Sequence, residues 1–285
     1  MRTRKTLTPV DLAHARSVAV RAVEEAGTLL HPRSRGELVV RTKSSTGDVV
    51  TDLDLAAEEL IVERIREVFP EHRIISEEAG LLDAADETWT WLVDPLDGTN
   101  NMAIGLSNYV VGIALCENGM PVVGAVHDPV RGETWSAVRD QGTRGPGGLI
   151  VTSPPRAEPH GAVLAWSQGY ACRDDDVARA LRVTLESRAR RVLQLWAPLL
   201  AWVMLARGDI DGFVGYRAEA VDLPAGSLIA REAGLVVHDF DGFPFDDRFD
   251  RPHDRSFVAG HPRAIPELLD MVRAADRVTI AGLPG

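Results

Sequence analysis

The sequence has little cysteine: among its 285 residues only Cys116 and Cys172 occur, far apart and without a C-x-x-C spacing. This scarcity argues against a disulfide framework and a cysteine zinc site, and a reducing cytoplasm is the expected location. Long apolar runs are missing as well, so no segment has the length that a membrane-spanning helix needs. The basic start has no apolar stretch behind it, which argues against an export signal.

Positive charge is also scarce. Lys and Arg total 31 against 42 Asp and Glu, a formal net charge of -11. The sequence therefore gives no electrostatic indication of binding to a nucleic-acid polymer or an anionic membrane. The eight histidines include no H-x-x-x-H pair, and nothing supports a Ser-His-Asp triad. The excess of carboxylates fits a different use, because such groups can hold divalent cations, whose charge reverses the field that an anionic substrate meets.

What the sequence does contain is enough apolar material, 45% of its residues, to bury a substantial core. Helical spacing, caps and prolines predict helices at 10–30, 52–69, 174–188, 198–206 and 225–233. Apolar runs and turn residues predict strands at 38–42, 73–76, 89–93, 109–116, 121–127, 133–138, 212–215 and 235–239. The Gly- and Pro-rich stretch 140–159 indicates a junction between an N-terminal α+β half, 1–145, and a C-terminal α/β half, 146–285.

Acidic residues cluster in four places, each at a predicted strand end or helix start: 51–54 (TDLD), 76–78 (SEE), 94–99 (DPLDGT) and 221–226 (VDLPAG). Asp94 and Asp97 follow an apolar strand, where an ionised carboxylate is costly unless it is paired, hydrogen-bonded or bound to a metal. A capped turn, a general acid/base pair and a cation site all remain open for this pair. A magnesium site would need several acids from different segments, with a carbonyl, water and the substrate phosphate.

Five segments together resemble the inositol monophosphatase family, within the magnesium-dependent, lithium-sensitive phosphatases of sugars and nucleotides. They are GDVVTDLD (47–54), FPEHRIISEE (69–78), WLVDPLDGTNN (91–101), GAVHDPVRGETW (124–135) and VDLPAGSLIAREAG (221–234), in family order and over most of the chain. The resemblance implies an α+β or α/β fold, the layered αβαβα sandwich of the inositol monophosphatase and fructose-1,6-bisphosphatase type.

The same resemblance implies a set of metal ligands. Glu77, Asp94 and the carbonyl of Leu96 would hold one Mg²⁺, and Asp94 would bridge to a second that Asp97 and Asp222 also hold. Glu77 could in addition help to position a third ion. The N-terminal half would then carry most of the metal ligands, while the C-terminal half supplies the last aspartate and the substrate wall.

Catalytic and substrate-binding residues are carried over in the same way. Thr99, paired with Asp54, would orient the attacking water, with Glu77 holding the metal. The backbone N–H groups of Gly98 and Thr99, at a predicted helix start, would cradle the phosphate. Further substrate contacts would come from three residues: Asn100, Arg217 and Glu219.

These residues indicate metal-assisted, in-line hydrolysis of a small phosphate monoester by activated water, because a phosphate dianion and hydroxide repel each other unless cations neutralise them. Inositol monophosphate is the leading substrate. The alternatives are another sugar phosphate, fructose bisphosphate, histidinol phosphate or a nucleotide phosphate. From a different class, a non-catalytic, metal-dependent binding or regulatory protein is also considered. The resemblance further predicts a homodimer.

The chain departs from the family pattern at the substrate wall. Val221 stands where tryptophan commonly precedes the last metal aspartate, and Met102 replaces a common aromatic residue. The segment LWAP, 195–198, replaces a stretch of small residues that helps to line the pocket. The metal set is complete while the wall is changed, so the sequence favours a working phosphatase and leaves the inositol preference open.

Overall fold

Three pairs of helices alternate with two large β-sheets: one pair lies between the sheets and one covers the outer face of each. The computed structural model describes residues 9–34, 38–43, 47–82, 84, 86–152, 161–172, 174–250 and 255–278. The helices are α1 (Pro9–Arg33), α2 (Asp52–Val68), α3 (Thr99–Ala103), α4 (Asp176–Arg188), α5 (Pro198–Arg207), α6 (Asp222–Glu232) and α7 (Ile265–Ala275). The strands are β1 (Val40–Thr42), β2 (Val49–Thr51), β3 (His72–Ser76), β4 (Gly80–Leu82), β5 (Asp86–Asp97), β6 (Val110–Glu117), β7 (Met120–Asp128), β8 (Glu133–Val138), β9 (Thr143–Gly145), β10 (Gly148–Ile150), β11 (Val163–Gln168), β12 (Arg191–Leu193), β13 (Gly212–Tyr216), β14 (Val236–His238) and β15 (Phe257–Gly260).

The strands form two large sheets and one small hairpin. The first sheet has eight strands in the order β10-β9-β8-β7-β6-β5-β3-β4, antiparallel except where β3 runs parallel to β5. The second has five strands in the order β12-β11-β13-β15-β14, with β11 parallel to both of its neighbours. The hairpin joins β1 and β2.

The buried apolar residues show how the layers are stacked. Side chains of α1 and α2, such as Ala22 and Ile61, share a core with Ile113 of the first sheet. The other face of that sheet packs on α5 and α6, which also contact the second sheet. Helices α4 and α7 cover the outer face of the second sheet. The order is helix, sheet, helix, sheet, helix, and the predicted αβαβα sandwich is confirmed.

Helix α2 shows how local sequence sets an element of the site. Thr51 caps its start: the Thr51 hydroxyl accepts from Leu53 N at 3.2 Å, and the backbone N–H of Thr51 donates to the Asp54 side chain at 2.8 Å. This reciprocal cap satisfies N–H groups that have no partner within the helix. Ala57 and Ile61 recur at helical spacing and are fully buried. Asp54 is therefore held in the first turn, on the buried side of the helix.

All the predicted helices and strands are present; β8 has the predicted bounds and the others have changed bounds. Helix α6 begins three residues earlier than predicted, at Asp222, because Pro224 falls in the first turn, where its missing N–H costs no helical hydrogen bond. Strand β5 is longer than predicted and runs on to Asp97. Helix α7 and the strands β2, β4, β9 to β12 and β15 were not predicted. Along the chain, the last strand of the first sheet ends at Ile150 and the first strand of the second sheet begins at Val163. The division into halves 1–145 and 146–285 stays a prediction.

None of the described helices is long and apolar enough to cross a membrane.

A close backbone contact sets the position of α6. A Cβ atom at Gly124 of β7 would lie 2.9 Å from the carbonyl oxygen of Ala225 and 3.2 Å from its Cα atom. Both atoms belong to backbone, which cannot move aside as the end of a flexible side chain can. Glycine therefore lets α6 approach the sheet, and α6 carries Asp222 at its first position.

We expect Gly124→Ala to lower the free energy of unfolding by about 1–3 kcal/mol, because the added methyl group forces α6 away from β7. Gly147→Ala is the control: Gly147 is exposed, its φ is not positive, and a Cβ atom there would meet nothing within 4 Å. That variant should stay within about 0.5 kcal/mol of the wild type. Urea denaturation of both variants measures the difference, and equal midpoints would contradict this account of the α6 contact.

Candidate metal centre and catalytic site

A bulge in β5 puts the two aspartates of the DPLD segment on one face of the sheet. Asp94 pairs with Gly112 of β6, and Asp97 pairs with Val110, so three steps along β5 match two along β6. In a regular strand, residues three apart point to opposite faces. The extra residue removes this difference, which is a common use of bulges near functional sites. Both carboxylates are buried and face the layer of α5 and α6, where Val110 also packs.

The start of α5 holds the second of these carboxylates. The backbone N–H of Leu199 donates to Asp97 Oδ2 at 2.7 Å, and that of Leu200 lies 3.4 Å from the same oxygen. Ala197, at the N-cap position, makes no side-chain cap of its own. The helix can come this close because Gly112 leaves room: a Cβ atom there would overlap the Leu199 side chain. The segment LWAP, which departs from the family pattern, thus leads directly into the helix whose N–H groups bind Asp97.

Glu77 reaches Asp94 because β3 and β5 are parallel and end at the same edge. Ser76 pairs with Val93, and the N–H of Glu77 donates to the carbonyl of Val93 at 3.1 Å. The Glu77 and Asp94 side chains therefore lie close enough to shift each other's pKa. Burial, followed by the charges of Glu77 and Asp97, raises the pKa of Asp94 well above its usual range.

Asp222 joins this group from the start of α6. Burial, followed by the negative charges of Glu77 and Glu219, raises the pKa of Asp222 to about 8. The pKa of Asp97 is also raised well above its usual range, by burial and then by Asp222, although the N–H groups of α5 oppose the shift. The structure therefore gathers acids from β3, β5 and α6 into one mutually repelling cluster.

Lys43 lies against one side of the cluster. Its Nζ atom is 2.8 Å from Glu77 Oε1 and also contacts Glu78. Burial lowers the pKa of Lys43, but the charges and hydrogen bonds of the two glutamates outweigh this effect and raise it. The side chain of Glu78 is 8% exposed and that of Glu77 is 30% exposed. Glu78 is thus the more buried of the two, and burial raises its pKa to about 7.

The chemistry of the donor set fits a hard divalent cation. In the described part of the chain, no three His, Cys, Asp or Glu side chains already stand in an arrangement that could hold an ion. The pKa of every member of the cluster, Glu77, Asp94, Asp97 and Asp222, is nevertheless raised, so the Lys43 ammonium does not offset the burial and mutual repulsion of these carboxylates. Carboxylate oxygens in this number are the ligands that Mg²⁺ prefers. The residues present therefore match the group that the sequence predicts.

Glu58 is a residue of the site that the sequence analysis missed. Its buried carboxylate accepts from the backbone N–H groups of Glu78 and Ala79, both at 3.1 Å, and contacts the Ser76 hydroxyl. These bonds hold the turn that presents Glu77. A signal was available, since Glu58 lies one helical turn after Asp54, on the buried side of α2.

The predicted pair of Thr99 and Asp54 is brought together. Thr99 Oγ1 lies 2.7 Å from Asp54 Oδ1 and 2.9 Å from the carbonyl oxygen of Leu96. One hydroxyl proton can serve only one of these acceptors at a time. Burial raises the pKa of Asp54, although hydrogen bonds from Thr51 and Thr99 oppose the shift. The preceding residue, Gly98, has a φ of 104°, and a Cβ atom there would lie 2.5 Å from the carbonyl oxygen of Asn108.

The predicted substrate-binding residues fall into two groups. Asn100 lies in α3, beside Thr99, and Glu219 acts electrostatically on Asp222, so both are near the acidic cluster. Arg217 is 57% exposed in its side chain and pairs with Asp175 at 3.4 Å. Its guanidinium carbon also lies over the Tyr216 ring, 5.2 Å from the centroid. The structure therefore directs Arg217 toward the neighbouring α4 segment.

The chain is similar to known proteins over most of its length. The model of the inositol monophosphatase family matches residues 11–277. The Nus factor SuhB of Pasteurella multocida is 33% identical over 261 residues, which cover 90% of this chain and 95% of that protein. The solved structure of an IMPase from Thermotoga maritima is similar with a TM-score of 0.79 and 28% identity, covering 93% of this chain and 98% of that one.

The structure of the extragenic suppressor protein SuhB of Bartonella henselae is similar with a TM-score of 0.82 and 25% identity. That similarity covers 91% of this chain and 98% of the Bartonella chain. The acidic segments, the layered fold and these matches agree over nearly the full length. The chain therefore belongs to the inositol monophosphatase family.

Proposed function

We propose that the protein hydrolyses a small phosphate monoester with Mg²⁺, by in-line attack of an activated water, and that inositol monophosphate is the leading substrate. Membership of the family supports a phosphatase activity. The observation that carries the proposal is the gathering of four acids, Glu77, Asp94, Asp97 and Asp222, which act on one another electrostatically at one site where Asp94 and Asp97 are buried. The Thr99–Asp54 pair adjoins it through the Leu96 carbonyl.

Each acid has a role in holding metal. Glu77, Asp94 and the carbonyl oxygen of Leu96 would hold one Mg²⁺, and Asp94, Asp97 and Asp222 a second, with Glu77 also available to a third. The Leu96 oxygen has two lone pairs, so its bond to Thr99 leaves one for this use. Bound Mg²⁺ supplies positive charge to the phosphate and lowers the pKa of its water.

Thr99, paired with Asp54, would orient the attacking water and take its proton. When the Thr99 hydroxyl donates to Asp54, its oxygen keeps lone pairs that can accept a proton from a neighbouring water. Asp54 is buried, and its raised pKa makes it a better proton acceptor than an exposed aspartate. The backbone N–H groups of Gly98 and Thr99 would cradle the phosphate, and Asn100 and Glu219 would contact the rest of the substrate. Arg217 would reach the substrate only by turning away from Asp175.

A binding or regulatory role without turnover is the second candidate. The observation in its favour is that a relative of 33% identity carries the name Nus factor SuhB. Such a role requires no Thr99–Asp54 pair beside the acidic cluster, and this chain keeps both. The homodimer and the cytoplasmic location, which follow from the resemblance and from the low cysteine content, stay predictions.

Phosphate release separates the two candidates. The wild-type protein should release phosphate from at least one of the inositol, fructose, histidinol and nucleotide phosphates with Mg²⁺, and from none with EDTA. Li⁺ added to Mg²⁺ should reduce the rate, as the family resemblance implies. Binding of Mg²⁺ without release from any ester would favour the non-catalytic role.

We expect Asp94→Asn to lower kcat by about 1,000-fold or more, because Asp94 is the shared ligand of both metals. The fold should remain, since the amide oxygen can still accept from the Leu96 N–H and one repelling charge is removed. Phosphate release and thermal unfolding measure the two effects. Asp276→Asn, which changes an exposed aspartate at the end of α7, is the control and should keep the wild-type rate. Near wild-type turnover in Asp94→Asn would refute the bridging role.

Thr99→Val tests the proton route. This substitution keeps the shape of the side chain and removes the hydroxyl, so kcat should fall by about 100-fold or more while KM changes by less than about threefold. Thr99→Ser keeps the hydroxyl and should retain most of the activity. Steady-state kinetics of both variants give the comparison. A change in KM alone would show that Thr99 binds the substrate and does not orient water.

A further inference from the structure

Tyr170 lies at the acidic site although it belongs to the second sheet's side of the molecule. It begins a short 3-10 turn, Tyr170–Cys172, directly after β11. Its phenol oxygen is 3.4 Å from the Nδ2 atom of Asn100 in α3. Because Asn100 follows Thr99, this contact brings the Tyr170 ring next to the proposed proton route.

The backbone holds this turn firmly. The N–H of Gly169 donates to the carbonyl of Tyr216 at 3.0 Å, and the N–H of Cys172 donates back to Gly169 at 3.0 Å. A Cβ atom at Gly169 would overlap the carbonyl oxygen of Arg217 and lie 3.1 Å from Glu219 Oε1. The turn is therefore packed against the segment that leads to Asp222. These main-chain contacts fix the position of the turn, and none of them involves the Tyr170 side chain.

The surroundings of the phenol group are acidic. Burial raises the pKa of Tyr170, and the charges of Asp48, Glu77 and Asp222 raise it further. Two of these acids are proposed metal ligands, so the phenol group lies within the electrostatic field of the acidic cluster. The phenol stays protonated, so it is an uncharged hydrogen-bond donor beside several carboxylates. The residue as a whole is 44% exposed, which indicates that the ring borders solvent at the mouth of the site.

These groups match the alcohol part of a phosphate ester. The proposed metals and the α3 start account for the phosphate. Beside them the Tyr170 hydroxyl contacts the Asn100 amide, and the Glu219 carboxylate lies close to Gly169, the residue before Tyr170. Together they offer both donors and acceptors, as a hydroxyl-bearing substrate requires. A site built to hydrogen-bond a hydroxyl discriminates against substrates that lack it.

We propose that Tyr170 is a specificity-determining residue, whose hydroxyl donates a hydrogen bond to a free hydroxyl on the alcohol part of a polyol phosphate. The proposal rests on the phosphatase function proposed above. The ring would lie against the C–H face of the same alcohol. Tyr170 takes no part in proton transfer from the attacking water. Its loss should therefore weaken substrate binding and leave the rate of the chemical step unchanged.

Tyr170→Phe tests this role, because it keeps the ring and removes only the hydroxyl. Two substrates are compared: the natural ester that the wild type hydrolyses best, and p-nitrophenyl phosphate, whose alcohol part has no free hydroxyl. For a polyol ester, KM should rise by about 3- to 10-fold, as loss of one neutral hydrogen bond predicts, with kcat within about twofold. The values for p-nitrophenyl phosphate should not change. Tyr170→Ala should raise KM for the polyol ester further.

Phe243→Leu is the matched control, since Phe243 is an exposed aromatic residue in the turn after β14 and should affect neither substrate. An equal loss on both substrates in Tyr170→Phe, or no change on either, would refute the proposed role. A best substrate without a free hydroxyl would refute it as well. A wild-type protein that releases no phosphate with Mg²⁺ would instead refute the phosphatase function on which the role rests.

Discussion

The repulsion among buried carboxylates is the constraint on which the rest of this structure depends. Asp94, Asp97 and Asp222 all have a raised pKa, and in each case burial is the first cause and a neighbouring acid the second. A fold gains nothing from such a cluster by itself, because each ionised group loses its hydration. The cluster therefore has to be held together by contacts with other groups. The backbone N–H groups of α5 and the Lys43 ammonium bind Asp97 and Glu77 directly, and the reciprocal cap of α2 holds Asp54 nearby.

Several layers of the sandwich each contribute residues to the site. Helix α2 supplies Asp54 and Glu58, the first sheet supplies the bulged end of β5, and the middle layer supplies Asp222 and the N–H groups that bind Asp97. The second sheet adds the Tyr170 turn. No single half of the chain contains all of these groups. The layered sandwich is thus the means by which acids that are distant in sequence meet at one edge.

Local signals in the sequence were enough for part of this description. Apolar residues at helical spacing predicted α2 from Asp52, Pro198 predicted the start of α5, and the five family segments predicted the acids. The rest depends on contacts over long distances in sequence. Nothing near Glu58 shows that it binds the turn after β3, and nothing near Tyr170 shows that Asn100 will meet it. The bulge in β5 also escapes local analysis, because it is defined only by the partner strand.

The bond between Asp97 and Leu199 joins residues that are 102 positions apart in the chain. Since Ala197 provides no cap, α5 takes its cap from a strand of another layer, an interaction of the kind that contributes about 1 kcal/mol to a helix. The order of folding events follows from this. The acidic site cannot be complete in an early, locally folded chain, because closing so long a loop is slow and comes late. A partly folded chain, or one still being synthesised, would consequently present its carboxylates to water as separate, ordinary acids, and the site would appear only with the final docking of the middle layer.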